Sequence, residues 1–157
     1  MKIEKISDIY EVLKGYTRKK RLVVAFANDS HSIEAVYMAV KAGLVEGILV
    51  GDTETIQGVC KENGYDESCF KIVHEPNDVR GAETAVEMIR NGEADVIMKG
   101  LVSTDKYMRA ILNKERGLVA PNAILSHVVV MECSSYHKLL TVSDVAVIPC
   151  PDLNQKI

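Results

Sequence analysis

The chain has 157 residues, a formal net charge of −3 and 47% hydrophobic residues, with no tryptophan and two phenylalanines. That length and apolar content suit one soluble α/β-sized domain with a real core. Mild acidity and few aromatic platforms argue against a nucleic-acid surface, and no run approaches the ~18 apolar residues of a membrane span.

Elements follow in chain order. Ile6, Ile9, Val12 and Leu13 recur at helical spacing, with Ser7 placed as a cap and Gly15 as a stop. The start, MKIEKISDIYEVL, has acids inside its apolar pattern and does not read as a signal peptide. Arg18-Lys19-Lys20-Arg21 reads as a solvated turn before a buried strand, Arg21–Asn28. Ser32 is placed to cap the next helix, whose Ile33, Val36, Tyr37 and Val40 share a face before Gly43. Val45–Asp52 is a second strand, a helix over Thr53–Asn63 ends at Gly64, and Phe70–Glu75 is a third strand. Pro76-Asn77 turns into a helix around Val79–Arg90 that buries Ala82, Ala85, Val86 and Ile89 and stops at Asn91-Gly92. A fourth strand runs through Ala94–Gly100 and a fourth helix over Thr104–Asn113. Ala123–Glu132 reads as a long strand, with Lys138–Val142 and Asp144–Pro149 as further strands.

Strand and helix alternate four times with near-continuous apolar strands. This predicts a Rossmann-like, doubly wound, mostly parallel sheet with helices on both faces, and 1–157 reads as a single α/β domain. Asp152 and Gln155 resemble a capping box, so the chain announces a helix one turn before Ile157. The expectation is that it is the N-terminal part of a longer protein.

In such sheets ligands gather beyond the carboxyl ends of the strands, where helix N-termini offer unpaired N–H groups. The junction Lys99-Gly100-Leu101-Val102-Ser103-Thr104 is the richest. Gly100 would let a ligand approach the backbone. Ser103 and Thr104 can cap the helix or donate to a phosphate oxygen. Lys99 adds charge, and Arg109 could reach back as a bidentate anion clamp. The alternative is ordinary capping by Ser103, with Lys99 and Arg109 in solvent. His31 lies in the polar stretch Asn28–Ser32 and reads as a surface residue. Ser126-His127 interrupts an apolar run, as a strand end or an inward-facing site would. Cys133 and His137, four apart, could form a nucleophile pair, but no orienting third group accompanies them. The dinucleotide, P-loop and zinc-protease signatures are absent, no His/Cys cluster has zinc spacing, and the four cysteines form no C-x-x-C pair. With no secretion signal the thiols read as reduced, in the cytoplasm.

Three ordered blocks, Ala94–Leu118, Leu125–Glu132 and Tyr136–Ile157, resemble the phosphate acetyl/butyryltransferase family, and within it the butyryl branch. The resemblance implies reversible transfer of a butyryl or similar acyl group between coenzyme A and inorganic phosphate. Coenzyme A is then a substrate, with no metal and no other cofactor. Acyl-CoA and phosphate are the small-molecule partners, nucleic acid and membrane play no part, and a homo-oligomer is expected. It further implies an isocitrate/isopropylmalate dehydrogenase-like two-domain fold with the site in the cleft. Lys99, Gly100, Ser103 and Thr104 fall on family-like positions for phosphate or acyl phosphate. Arg109 matches an arginine following the hydroxyl pair, and Ser126 and His127 match a block lining the cleft. Family members are about twice this long, so half an active site is expected here. The competing reading is a non-catalytic module of the same fold that binds a phosphorylated ligand or assembles with a partner chain.

Overall fold

The computed structural model describes residues 2–148 and 150–156. Backbone contacts group the chain into two compact units, Thr17–Leu118 and the terminal stretches Met1–Tyr16 with Val119–Ile157.

Thr17–Leu118 holds a four-stranded parallel sheet of β1 (Lys20–Ala25), β2 (Val45–Gly51), β3 (Phe70–His74) and β4 (Val96–Lys99), in the order β3-β2-β1-β4. In register, Ala25 of β1 lies between Val50 of β2 and Lys99 of β4. Alternate strand residues serve opposite faces. Leu22 and Val24, Leu49, Phe70 and Ile72, and Met98 pack with Ile33, Val36 and Val40 of α2 (Ser30–Lys41) and with Ile56 and Cys60 of α3 (Thr53–Asn63). The other set, with Val23, Ala25, Ile48 and Val50 all buried, faces α4 (Asp78–Arg90), which packs on β1, β2 and β4 and buries Ala82, Ala85 and Val86. Helix α5 (Thr104–Ile111) packs on α4. The α/β reading with a parallel sheet and helices on both faces is what this unit shows.

Several boundaries move for local reasons. Helix α2 starts at Ser30 because the Asp29 carboxylate, not Ser32, takes the cap: it accepts from the Ser32 N–H at 2.9 Å, and the Ser32 side chain is buried against it. Helix α3 spans Thr53–Asn63 as expected, with Gly64 at φ 69° supplying the left-handed stop. At the other end of the sheet Arg21 grips Asp95, Nε to Oδ2 at 3.0 Å and Nη2 to Oδ1 at 3.2 Å, while its backbone N–H donates to the same carboxylate at 2.9 Å. These bonds hold the Asp95 carboxyl far below the usual carboxylate range.

In the terminal unit, α1 (Ile6–Lys14) is capped from inside. The Asp8 carboxylate accepts from Glu4 and Lys5 N–H, each at 2.9 Å, so Ser7 is not the cap. The expected long strand Ala123–Glu132 shrinks to β5 (Val128–Met131), antiparallel to β6 (Leu140–Ser143). Only those four residues have a partner strand, and apolar character without a partner makes no strand. The third candidate does not extend either: Asp144–Ile148 is irregular, with Asp144 and Val147 at positive φ, and Pro149 lies outside the described residues. A single turn, α6 (Leu153–Lys156), follows, while the Gln155 side chain of the capping-box reading lies outside the described residues. No helix among the described residues is long and apolar enough to cross a membrane.

Candidate functional site

Strand β1 has β2 on one side and β4 on the other, and the helices that follow β1 and β4 leave toward opposite faces. The carboxyl ends of β1 and β4 therefore flank the switch point of the sheet, where a crevice opens in folds of this kind.

The residue after β1 is Phe26, in the left-handed region at φ 62°. A bulky residue there is strained and needs its surroundings to hold it. Two glycines do so. Gly81 of α4 presents its bare backbone to the Phe26 ring: an added Cβ would stand 3.2 Å from Cδ2. Gly100 lies directly against the carbonyl oxygens of Phe26 and Ala25, and its N–H donates to Ala25 O at 3.0 Å while Leu101 N–H donates to Phe26 O at 2.8 Å. The space expected for a ligand beside Gly100 is thus filled by the chain itself. Gly100 is required for this strand-to-loop contact.

Along the same edge the loops are stitched together. Asn28 Oδ1 accepts from Asp52 N–H at 2.9 Å, Thr53 Oγ1 lies 3.0 Å from His74 Nδ1, and Glu75 N–H donates to Gly51 O at 2.8 Å. Glu75 is 8% exposed; its carboxylate accepts from Asn77 N–H and pairs with Arg80 Nε at 3.2 Å. Asn28, Glu75 and Arg80 are missing from the sequence-derived site. Their signal was position: Asn28 and Glu75 each stand where an apolar strand run ends.

The four helix N-termini at this edge differ in charge. Asp29 fills that of α2, and Asp52 fills that of α3, where bonds from Thr55 hold its carboxyl below the ordinary value. Asn77 caps α4, with Glu75 and Asp78 beside it. Helix α5 has the neutral Ser103, whose oxygen accepts from Lys106 N–H at 3.3 Å. Its one first-turn acid, Asp105, is paired by Arg109 at 3.0 Å. Lys106 Nζ reaches Asp78 at 2.6 Å, which holds that carboxyl below its ordinary value. The capping carboxylates of α2 and α3 oppose a further anion; at α4 and α5 the caps are neutral and the acids beside them are paired by Arg80, Lys106 and Arg109.

The sequence-derived residues thus fall in two places. Lys99, Gly100, Ser103, Thr104 and Arg109 share the β4–α5 segment of the sheet-bearing unit. Lys99 and Thr104 are exposed, and Lys99 Nζ lies 3.4 Å from Gly100 O. Arg109 is exposed, bonded to Asp105, and lines a groove of about 660 Å³ between α4 and α5 with Arg80, Lys106 and Arg116. Ser126 and His127 belong to the terminal unit, just before β5. Ser126 is exposed; His127 Nδ1 is buried without a hydrogen-bond partner among the described residues. His31 is exposed on α2. Cys133 bonds with Ser135 at 3.2 Å, which lowers its thiol below the ordinary value, while the His137 ring lies tilted against Tyr136, centroids 4.9 Å apart. Among the described residues no group of three or more His, Cys, Asp or Glu could hold a metal ion.

Residues 78–157 match the family model described as "Phosphate acetyl/butaryl transferase". The chain belongs to this family. It is 41% identical over 155 residues to a phosphate butyryltransferase of Clostridium acetobutylicum, covering 99% of this chain and 51% of that relative. It is 33% identical over 152 residues to a phosphate acetyltransferase of Thermotoga maritima, covering 97% of this chain and 50% of the relative. The fold is shared with a phosphotransacetylase from Streptococcus pyogenes, TM-score 0.68 at 18% identity, over 91% of this chain and 52% of that one. A branched-chain phosphotransacylase from Enterococcus faecalis V583 gives a TM-score of 0.61 at 22% identity, over 82% and 43%. The chain spans about half the length of the curated relatives it matches.

Proposed function

We propose that this family member carries the phosphate-handling half of an acyltransferase that moves a butyryl or similar acyl group between coenzyme A and phosphate: butyryl-CoA plus phosphate gives butyryl phosphate plus CoA. A phosphate oxygen attacks the thioester carbonyl, the C–S bond breaks, and CoA leaves as the thiolate. What such a reaction asks of a protein is a fixed anion and a place for developing negative charge. The observation that carries the assignment is the α5 N-terminus itself: its cap is the neutral Ser103, its one first-turn acid, Asp105, is already paired by Arg109, and the exposed Lys99 and Thr104 lie on the same segment.

In this reading the α5 N–H groups, Ser103, Thr104 and Lys99 hold phosphate, and Gly100 acts by shaping the loop. Arg109 exchanges its bond to Asp105 for the bound anion. Ser126 and His127 line the acyl-CoA side. No metal and no cofactor beyond the substrate CoA is invoked. The relatives named phosphate butyryltransferase and phosphate acetyltransferase support this assignment, as does family membership. The family fold is taken as isocitrate/isopropylmalate dehydrogenase-like, and the protein as a cytoplasmic homo-oligomer; the free thiols among the described residues agree with a reducing compartment.

The test is CoA thiol release from butyryl-CoA with and without phosphate, by this chain and by a chain extended with the remaining half of the Clostridium acetobutylicum relative. Phosphate-dependent release in the extended chain, weakened in Arg109→Ala through a raised requirement for phosphate, supports the assignment. An unchanged phosphate requirement removes Arg109 from it. The second reading is a non-catalytic module that binds a phosphorylated ligand, for which the neutral Ser103 cap of α5 and the exposed Lys99 and Thr104 suffice. It predicts phosphate binding at α5 by NMR titration and no turnover in either chain.

A further inference from the structure

The parallel ladder breaks immediately after β1. Along a regular parallel strand, successive residues turn their N–H and C=O to the two neighbouring strands alternately. Ala25 O turns to β4, where Gly100 N–H donates to it at 3.0 Å. In a regular ladder the Phe26 carbonyl would then face β2, and Val50 O, opposite Ala25 in register, would accept from Phe26 N–H. Instead, Phe26 O also turns to the β4 side and accepts from Leu101 N–H at 2.8 Å. Val50 O accepts from Ala27 N–H at 2.7 Å, one residue late. Phe26 is thus an extra residue, a bulge held in the left-handed region at φ 62°. Glycine is the usual occupant of such a position, and a phenylalanine there is strained.

The bulge produces a double grip. Two consecutive carbonyls, of Ala25 and Phe26, hold two consecutive N–H groups, of Gly100 and Leu101. The buried Val102 follows, and then Ser103, the cap of α5. The Phe26 ring meanwhile lies against Gly81 of α4, the helix whose Asp78 binds Lys106 of α5. We propose that Phe26 is a positioning residue for the anion site: its left-handed bulge fixes residues 100–103 against β1 and so sets where the α5 N–H groups stand. The proposal rests on the reading of α5 as the phosphate-holding helix and adds to it a residue that acts only through the loop.

The test is a titration of the 157-residue chain with inorganic phosphate, followed by the NMR shifts of the Thr104, Asp105 and Lys106 amides. Slow exchange of the Val23 and Leu49 amides reports that the sheet is folded in each variant. Phe26→Gly adopts positive φ without strain and should bind phosphate within ~3-fold of the parent. Phe26→Val, whose branched side chain disfavours that region, should bind at least ~10-fold more weakly with the sheet still folded. If Phe26→Val does not fold, Phe26→Ala takes its place with the same expectation, because it lacks the ring as glycine does but disfavours positive φ. Parent-like affinity in the folded Val or Ala variant overturns the proposal and leaves the reading of α5 standing. An equal loss in Phe26→Gly also overturns it, since the effect then lies in the ring and not in the bulge. No response of the α5 amides in the parent overturns both.

Discussion

The two units of this chain are built from similarly apolar stretches and end up in opposite conditions. In Thr17–Leu118, Val23, Val24, Leu49 and Val50 are fully buried between helices on two faces. In the terminal unit the run Val128-Val129-Val130-Met131 has one strand beside it and no buried residue. A run of valines therefore does not determine burial. Burial comes from how many neighbours the topology supplies on each side, and a parallel strand between two others with helices above and below is supplied on all of them.

The sharpest way to test that contrast is to make the same kind of truncation in both places. Leu49→Ala removes a fully buried side chain and should cost about 2–5 kcal/mol in denaturant unfolding. Gly100→Ala drives a Cβ into two carbonyl oxygens of β1 and its following loop and should cost about 1–3 kcal/mol; a neutral outcome would mean the β4–α5 loop can move away. Asp29→Ala removes the α2 cap and should cost about 1 kcal/mol, whereas Ser32→Ala should cost less if Asp29 is the cap. Val128→Ala in the terminal unit should stay within about 0.5 kcal/mol of the parent; a loss like that of Leu49→Ala would erase the contrast.

Acid sharpens the comparison from another side. The Asp95 carboxyl is held below its ordinary value by Arg21, so the stability it adds is fully present above about pH 4. That stability is lost as pH falls toward the lowered folded value. Asp95→Asn should therefore be less stable than the parent at neutral pH and show a shallower decline below about pH 4, measured by urea unfolding across the acid range.

Local signals in the sequence were reliable where the physics is local. Gly64 after Asn63 stops α3 because the stop needs only a residue tolerant of positive φ. Asp29 and Ser32 both qualify as caps by composition, and only the position of the first helical turn separates them. That the sheet is parallel follows from the alternation of strands and helices; its order, β3-β2-β1-β4, does not. At the β4–α5 junction the capping by Ser103 was legible, and the packing around Gly100 was not. Gly100 was flagged because glycine frees space near a backbone, but the claimant of that space is a carbonyl 74 residues earlier in sequence, at Phe26. Phe26 itself carries no sequence signal, since an aromatic residue at the end of an apolar strand reads as more strand, and its left-handed backbone is imposed from Gly81 and Gly100. Likewise the bond from Arg109 to Asp105 follows from helical spacing, and an anion clamp does not.

The central place of β1 also sets a schedule for a chain emerging from the ribosome. Its β2 partner follows within a few tens of residues, but the contact from Arg21 to Asp95 spans 74 residues. At ordinary rates of synthesis that separation takes about 4–15 s. Throughout that interval β1 carries an unpaired edge of Leu22, Val23 and Val24, and an open apolar edge invites pairing with other chains. Slowing translation between β3 and β4 should therefore lower the soluble yield, and helper chaperones should matter most before residue 99 is made.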